Sequence, residues 1–264
     1  MQGTVGVAFV SESDTITVNN DVRFPMMSVF KLHQSLAIIH RLDSLGCTAD
    51  TVLTVCADEI DRDTWSPMLD IYDDKDFRIS VGDLIKYSLT VSDNNASNLL
   101  FSHIISPAET NAFIKKIASD TTFNIAYSES EMKADHSLSY YNSTTPLSAA
   151  LLVRQVFTTE MVSQPGQALI KEALSTVATG QDRLGAILKD DDDIFFAHKT
   201  GSGYRNYDGK LMAHNDVGYF SFPDGRNYSL AVFITGFNGT EAEASAVTAD
   251  ISRCVYDYYI SQNQ

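Results

Sequence analysis

Hydrophobic residues are concentrated in short runs at both ends of the chain. The first two runs, TVGVAFV (4–10) and TITVN (15–19), are rich in β-branched residues and are separated by SESD, which predicts a β-hairpin. Further strand-like runs lie in the last quarter of the chain: IFFAHKTG (194–201), HNDVGYFSF (214–222) and YSLAVFITGF (228–237). The segment PDGRN predicts a tight turn between the last two of them.

Between these ends the hydrophobic period changes to that of a helix. The segment 28–46 has helical apolar spacing and ends at Gly46, a suitable stop; its apolar positions are Phe30, Leu32, Leu36, Ile39, Leu42 and Leu45. Residues of the N-cap type predict three further helix starts, at Ser80, Ser106 and Thr145. Residues 241–260 predict an amphipathic helix that closes the chain.

The order of these elements predicts an α+β fold. We expect one antiparallel sheet assembled from both chain ends and flanked by helices, with an all-helical lobe beside it. Residues 1–30 and 180–264 form the predicted α/β lobe, and residues 31–179 form the mainly helical lobe. Within the latter, residues 120–145 are polar and have no clear period. Long ordered loops of this kind are often functional.

Composition is ordinary for a globular protein, but the charge excludes several classes of partner. The chain has 264 residues, is 44% hydrophobic and carries a formal net charge of −15. Such a surface repels phosphate backbones and anionic lipid, so we expect no binding to nucleic acid or membrane surfaces. The sequence has no apolar run of membrane-spanning length and no basic segment before an apolar core at its start. We therefore expect a soluble chain from which any signal peptide has been removed.

The three cysteines, Cys47, Cys56 and Cys254, are an odd set without the spacing of a metal site. We expect buried or half-buried structural thiols. A bridge between Cys47 and Cys56 stays open as an alternative, because sequence alone does not establish the geometry.

Candidate chemistry begins with Ser28 and Lys31. At positions i and i+3 of a helix the two side chains face the same way and lie within reach of each other. A serine hydroxyl needs a base to become a good nucleophile, and a desolvated lysine can serve as one. The pair alone is a weak signal, since a surface helix could carry both residues without function.

Two further polar motifs interrupt apolar surroundings. SDN (92–94) follows the second predicted helix and could also be a simple helix-capping loop. HKTGSG (198–203) ends a strand-like run, so Lys199 and Thr200 could point into a cleft. We expect its two glycines to leave room for a substrate along that edge.

SVFK (28–31), SDN (92–94) and KTG (199–201), in this order, resemble the motif set of the serine β-lactamase and penicillin-binding-protein superfamily. The resemblance to class A β-lactamases covers almost the whole chain. The surroundings FPMMSVFKLH, VSDNNASNLLF and AHKTGSG look most like the branch called subclass A2. The resemblance implies a β-lactamase/transpeptidase-like fold with the active site between the two lobes.

The resemblance also implies a glutamate that activates the water for deacylation, on the loop of about residues 120–145. Glu129 is the best match, and Glu131 is its rival. The sequence departs from the family at Lys133, where many relatives have asparagine, and at Tyr127, where an arginine is common. The loop is therefore expected to be held differently, with Asn142 as a possible anchor.

The remaining roles are carried over from the family to matching positions. The resemblance implies that Ser28 is the nucleophile, Lys31 helps to activate it, and Ser92 relays a proton to the leaving nitrogen. The predicted substrate-binding residues are Asn94, Lys199, Thr200, Gly201, Ser202, Arg183 and Trp65. The backbone N–H groups of Ser28 and Ser202 would form the oxyanion hole. For Arg183 a surface ion pair, and for Trp65 a place in the core, are the open alternatives.

The function implied is hydrolysis of the β-lactam amide bond of penicillins and cephalosporins through a serine acyl-enzyme, which confers antibiotic resistance. The rivals are a D-alanyl-D-alanine peptidase or transpeptidase and a β-lactam-binding sensor that does not hydrolyse. We expect a monomer that requires no cofactor. A metal mechanism is unsupported, because no histidine pair has zinc-ligand spacing. The implied location is periplasmic or secreted.

Overall fold

The computed structural model describes residues 2–72, 75–188 and 193–262, and its main sheet joins the two ends of the chain. Five antiparallel strands follow the order β2-β1-β10-β9-β8. These strands are β1 (Thr4–Val10), β2 (Thr15–Val18), β8 (Phe195–Ser202), β9 (His214–Ser221) and β10 (Asn227–Thr235). The predicted strands and the antiparallel sheet are therefore confirmed. The short strands elsewhere are β3 (Phe24–Pro25), β4 (Val52–Val55), β5 (Phe77–Ser80), β6 (Phe123–Asn124) and β7 (Ser143–Thr144).

Alternate side chains of the sheet face two separate hydrophobic layers. On the central strand β10, Leu230 and Val232 face one layer, while Ala231 and Phe233 face the other. This is the period of two that a strand covered on both faces requires. The C-terminal helix α8 (Glu241–Ser261) packs on the first side, and α6 (Pro146–Thr158) packs on the second.

The other described α-helices form the helical part of the molecule. They are α1 (Phe30–Ser44), α2 (Val81–Thr90), α3 (Asn94–His103), α4 (Pro107–Ile117), α5 (Glu129–Ala134) and α7 (Gln164–Ser175). Of these, α7 packs against the edge strand β8. The predicted N-caps are confirmed, because Ser80, Ser106 and Thr145 each accept a hydrogen bond from a backbone N–H of the first turn. The division into residues 1–30 with 180–264 and residues 31–179 stays a prediction.

Helix α1 is buried on almost all sides and forms the centre of the helical part. The helix predicted to start at Ser28 begins at Phe30, after a 3₁₀ helix over Met27–Val29. Met27 has a φ of 45°, a left-handed conformation that is unfavourable for a side chain of its size. Gly46 terminates the region with a φ of 68°, as the sequence predicted.

Residues 120–145 are more regular than their sequence suggested. The segment contains β6, α5, β7 and a 3₁₀ helix over His136–Tyr140. Asn142 holds the approach to α5: its Oδ1 accepts from the N–H groups of Ala126 at 2.8 Å and Tyr127 at 3.0 Å, and its Nδ2 donates to the Tyr127 carbonyl at 2.8 Å. The expectation that Asn142 anchors the loop is confirmed.

The expectation for the cysteines was wrong. Cys47, Cys56 and Cys254 are all free and exposed, so they are neither packed in the core nor bridged. Cys47 follows the end of α1, Cys56 follows β4, and Cys254 lies on the outer face of α8, all at the surface. Over the described ranges, no helix combines the length and apolarity needed to cross a membrane.

Candidate active site

The side chain of Ser28 lies in a cleft between strand β8 and the helical part of the molecule. Its 3₁₀ turn connects β3 to α1 and packs against β8 and β9. Ser28 Oγ donates a hydrogen bond to Glu129 Oε1 at 3.1 Å. The neighbouring Met27 and, across the cleft, Ser92 (φ 58°) both have left-handed backbone. Strained backbone of this kind persists only where the surrounding structure holds it in place. It is found most often at functional sites.

Lys31 lies one helical turn beyond Ser28 and is completely buried. Its Nζ approaches four oxygens: Asn94 Oδ1 at 2.8 Å, the Ser92 carbonyl at 2.9 Å, Glu129 Oε1 at 3.0 Å and the Asp93 carbonyl at 3.2 Å. Glu129 Oε1 therefore lies between Ser28 Oγ and Lys31 Nζ, and it connects the two members of the sequence motif.

The carboxylate of Asp93 holds the SDN turn, in agreement with the helix-capping alternative for this motif. It caps α3 by accepting from the N–H of Ala96 at 2.9 Å, and it also accepts from the N–H of Met68 at 2.8 Å and from Ser66 Oγ at 2.9 Å. The position before helix α3 was the available signal, since aspartate is a preferred N-cap residue. Asp93 thereby fixes the peptide groups to which Lys31 donates.

Lys199 reaches the cleft from strand β8 and is also completely buried. Its Nζ donates to Ser92 Oγ at 3.0 Å and to the Thr200 carbonyl at 3.0 Å. Burial, reinforced by the nearby charge of Lys31, lowers the pKa of Lys199 well below its usual value. The second motif and the third motif therefore meet directly, at the Ser92 hydroxyl.

Arg183 lies behind the end of β8 and is buried, so the alternative of a surface ion pair is wrong. One guanidinium nitrogen, Nη2, donates to Ser202 Oγ at 2.7 Å, and Nη1 donates to the Asn215 carbonyl at 2.8 Å. Burial lowers the pKa of Arg183, but arginine is such a strong base that it stays charged. Thr200 Oγ1 shares a hydrogen bond of 2.6 Å with Thr179 Oγ1. Lys199 and Arg183 thus bring two basic side chains to this end of the cleft.

The glycines of the third motif make room for the protein's own backbone. A Cβ added to Gly201 would lie 2.4 Å from the Met26 carbonyl oxygen, which cannot move without shifting the turn that carries Ser28. A Cβ on Gly203 would meet the backbone nitrogen of Ala213 at 3.1 Å. The expectation that these glycines leave room for substrate is therefore corrected: they let β8 approach its own neighbours closely.

Of the two glutamates proposed for the loop, Glu129 faces the cleft and Glu131 does not. Glu131 is exposed, and its Oε2 accepts from the N–H and the hydroxyl of Ser128 at 2.8 Å, which completes a capping box at the start of α5. Lys133, which stands where many relatives have asparagine, donates to Asp61 Oδ2 at 2.7 Å and to the Asp63 carbonyl. Its side chain therefore connects α5 to the opposite wall of the cleft.

Trp65 stands on that opposite wall and is 61% exposed, so the alternative of a core position is wrong. Its Nε1 donates to the Val91 carbonyl at 2.8 Å. The cavity between the walls has a volume of about 510 Å³ and is lined by Met27, Ser28, Asp63, Thr64, Trp65, Ser92, Asn94, Glu129, Met132, Lys133, His136, Thr179, Thr200, Ser202 and Tyr204. Sequence reasoning missed Thr64, Thr179, His136 and Tyr204, which stand outside every motif.

In the part of the chain that the structure describes, no three His, Cys, Asp or Glu side chains lie close enough to hold a metal ion together. The groups that converge on the cavity are the Ser28 hydroxyl, the Glu129 carboxylate and the amino groups of two buried lysines. Such a set can activate a serine, protonate a leaving group and bind an anion.

Comparison with known proteins gives a consistent answer. The model of the β-lactamase enzyme family matches residues 1–259. A β-lactamase of Phocaeicola vulgatus is 46% identical over 255 residues, which cover 96% of this chain and 79% of that protein. Among solved structures, a class A β-lactamase from Bacteroides cellulosilyticus is 30% identical with a TM-score of 0.92, covering 98% of this chain and 93% of that one. The TLA-1 extended-spectrum β-lactamase is also 30% identical, with a TM-score of 0.93 and coverage of 98% and 94%. The chain therefore belongs to the β-lactamase enzyme family, and within it to the serine enzymes of class A.

Proposed function

We propose that the chain opens the β-lactam ring by forming an acyl-enzyme on Ser28. The serine Oγ attacks the lactam carbonyl carbon while its proton passes to a neighbouring base. Lys31 and Glu129 are both in place for this step, Glu129 directly at 3.1 Å from Ser28 Oγ and Lys31 at 3.0 Å from the same carboxylate oxygen. Either can take the proton, and the backbone N–H groups of Ser28 and Ser202 stabilise the oxyanion.

The ring nitrogen receives its proton from Ser92 in this proposal. The Ser92 hydroxyl accepts a hydrogen bond from Lys199 at 3.0 Å, so its own proton is free to point toward a substrate. Lys199, whose pKa is lowered by burial, can return a proton to Ser92 after the transfer. The left-handed backbone of Ser92 holds the hydroxyl at the cleft.

Deacylation is assigned to Glu129, which activates a water against the acyl-enzyme. The observation that carries this assignment is the position of Glu129 Oε1 between Ser28 Oγ and Lys31 Nζ. A general base must lie within hydrogen-bond reach of the water that attacks the ester, and the Glu129 carboxylate lies beside the ester oxygen. Glu131 is unsuitable, because its carboxylate is already engaged in capping α5 at the surface.

The substrate we propose is a β-lactam with a carboxylate, and in particular a cephalosporin. Thr200 and Ser202 line the cavity beside the buried basic side chains Lys199 and Arg183, and the charge of Arg183 attracts an anionic group there despite the acidic surface. Asn94 lines the same cavity and is assigned to the amide of the substrate's side chain. Trp65 forms the opposite wall. The preference for cephalosporins is supported by the resemblance of FPMMSVFKLH, VSDNNASNLLF and AHKTGSG to subclass A2.

A time course with a chromogenic cephalosporin in large excess, followed by the intact mass of the protein, tests the proposal. We expect many turnovers per enzyme and little residual adduct. The Ser28→Ala variant should show neither turnover nor adduct, and labelling of that variant at another residue would overturn the assignment. A single burst with a stable adduct on wild-type Ser28 would favour the peptidase or sensor alternatives.

A further inference from the structure

The turn that carries Ser28 is attached to the main sheet by the side-chain amide of Asn215. From strand β9, Asn215 Nδ2 donates to the Pro25 carbonyl at 2.8 Å and to the Met26 carbonyl at 3.2 Å. The N–H of Met26 donates in turn to the Asn142 carbonyl at 2.8 Å. Met26 is therefore held at its N–H and at its carbonyl by parts of the chain that are remote in sequence.

The orientation of the Asn215 amide follows from its partners and has a cost. Both partners are carbonyl oxygens, so only the NH₂ group can face them. The Oδ1 atom then has no hydrogen-bond partner among the described residues, and the side chain is buried. A buried acceptor without a partner is destabilising. An asparagine here therefore weakens the core locally while it strengthens the attachment of the turn before Ser28.

The turn needs such an attachment because its backbone is strained. Met27, the residue before the nucleophile, has a φ of 45°, and a non-glycine residue keeps this conformation only where the surrounding structure imposes it. Gly201 pairs with Asn215 across β8 and β9, and a Cβ on Gly201 would lie 2.4 Å from the Met26 carbonyl oxygen. The missing side chain of Gly201 and the amide of Asn215 therefore act on the same oxygen: one gives it space and the other holds it.

Asn215 is also linked to the other end of the proposed oxyanion hole. Its carbonyl accepts from Arg183 Nη1 at 2.8 Å, and Arg183 Nη2 donates to Ser202 Oγ at 2.7 Å. The Ser202 N–H is one donor of the proposed hole, and the Ser28 N–H, two residues after Met26, is the other. Hydrogen bonds through Asn215 therefore connect the two segments that carry these donors.

We propose that Asn215 is a positioning residue that fixes the Ser28 N–H relative to the Ser202 N–H in the oxyanion hole. The inference rests on the proposed function, because it assigns a support to one step of that reaction. Asn215 is not among the residues that line the active-site cavity, so it acts through the backbone of Met26 and Ser28. Oxyanion donors stabilise the transition state only at hydrogen-bond distance from the developing charge. A displaced Ser28 N–H should therefore slow acylation.

The test replaces the amide in Asn215→Leu, which keeps the size of the side chain and removes both hydrogen bonds to the turn. We expect kcat/KM for a chromogenic cephalosporin to fall about 10- to 100-fold, the scale of a misplaced reacting group or a weakened oxyanion donor. Asn215→Ala is measured alongside, because it adds no apolar bulk and can be used even if Asn215→Leu fails to fold. Its kcat/KM should fall in the same way.

The specific readout is the carbonyl stretching frequency of the acyl-enzyme ester, measured by infrared difference spectroscopy. The spectra are recorded with Glu129→Gln also present, since slow deacylation lets the ester accumulate. Hydrogen bonds to a carbonyl oxygen lower its stretching frequency. The band should therefore shift to a higher frequency when either Asn215 variant is combined with Glu129→Gln.

Gln167→Met is the matched control. Gln167 is another buried amide whose nitrogen donates to two backbone carbonyls, those of Val156 at 2.7 Å and Thr159 at 2.6 Å, but it lines a separate cavity beside α7. Gln167→Met should lower Tm and leave both kcat/KM and the carbonyl frequency at their values in the parent protein.

Two results would overturn the proposal. One is an unmoved carbonyl band in the Asn215 variants, with kcat/KM reduced only as far as Gln167→Met reduces it. The other is a wild-type kcat/KM in Asn215→Leu or Asn215→Ala. If Glu129→Gln alone formed no acyl-enzyme with Asn215 intact, the proposed function itself would be overturned instead.

Discussion

The cleft joins two regions that are built in opposite ways. Its floor, by which we mean Ser28, Lys31, Ser92, Glu129 and Lys199, is a connected set of hydrogen-bonding groups. Both lysines are completely buried there, and both donate to oxygens of Ser92. Away from water, connected hydrogen bonds polarise one another, so the strength of each one depends on its neighbours. A change in one group therefore affects the whole set.

The rim, by which we mean Trp65, Lys133 with Asp61, and His136 with Tyr204, is partly exposed to solvent. Trp65 is 61% exposed, and the side chains of Lys133 and Asp61 are 38% and 33% exposed. Water and salt screen such contacts, which individually contribute little. From this difference we expect changes in the floor to affect the reaction itself, and changes in the rim to affect only how the walls of the cleft are held.

The largest expected effect comes from replacing Glu129 by Gln in the floor. The amide cannot take a proton from water, so deacylation should slow by about 10²- to 10⁴-fold while acylation of Ser28 continues. Rapid mixing with a chromogenic cephalosporin should then show a burst of about one equivalent, with the adduct visible in the intact mass.

Glu131→Gln is the control for this experiment. Glutamine also completes a capping box, so the start of α5 is preserved and turnover should stay near the wild-type rate. If the trapped adduct accumulated in Glu131→Gln and not in Glu129→Gln, the assignment of the base would be reversed.

A second expected effect is on stability and comes from Asp93→Asn, next to Ser92 of the floor. The carboxylate is completely buried and accepts from Ala96 N–H, Met68 N–H and Ser66 Oγ. An amide turns an NH₂ group toward one of these donors and leaves it unsatisfied, which should cost about 3 kcal/mol in the free energy of unfolding. Urea unfolding measures the change. Asp250→Asn, at an exposed position in the middle of α8, should change stability by less than about 0.5 kcal/mol. Equal effects at both positions would contradict the role given to Asp93.

The sequence predicted the fold and the floor well because both leave local signals. Strand alternation, N-cap residues such as Ser80 and Thr145, and the stop at Gly46 act within a few residues of where they are read. The motifs around Ser28 and Lys199 were informative because their residue types and their order along the chain match the motif set of a known family.

The rim was not predictable, because its contacts are remote in sequence and leave no periodic signal. Tyr204 and His136 meet across 68 residues, and Lys133 meets Asp61 across 72. Gly201 was recognised from the sequence as a motif residue. The reason that glycine is required there is the close approach of the Met26 carbonyl, which depends on how β8 packs. The exposure of Trp65 and the burial of Arg183 likewise depend on packing and not on neighbouring residues.

A third prediction concerns the acid stability of the helix beneath the floor. His33 lies on α1 against Phe123, and burial lowers its pKa from 6.5 to about 3. Below pH 6.5 the unfolded chain therefore binds a proton at His33 that the folded chain does not bind. The free energy of unfolding consequently falls as the pH drops from 6.5 toward 3, by up to about 1.4 kcal/mol per pH unit from this residue.

The His33→Phe variant tests this dependence by urea unfolding at a series of pH values. We expect the free energy of unfolding of this variant to change less with pH than that of the wild type between pH 6.5 and about 4. Above pH 7 the two curves should be parallel, because His33 is then neutral in both the folded and the unfolded chain. Curves that stay parallel throughout the acid range would contradict the prediction. Burial also lowers the pKa of His214, to about 4, so His214 also makes both proteins less stable in acid. Because it does so equally in both, it leaves the difference in the free energy of unfolding between the wild type and the variant unchanged.

The smallest expected effect belongs to the ion pair of Lys133 in the rim. The pair connects α5, which carries Glu129, to the wall of Trp65, and hydrogen bonding to Asp61 raises the pKa of Lys133. Lys133→Met should loosen the position of Glu129 and lower kcat by less than about fivefold, the scale of an exposed ion pair. Because salt screens this contact, kcat of the wild type should fall toward that of the variant at 1 M NaCl, while kcat of the variant should barely change. Lys86→Met, which removes a surface pair with Glu172 at 3.8 Å, should leave kcat and its salt response unaltered. An identical salt response in the wild type and Lys133→Met would mean that the floor holds Glu129 without help from the rim.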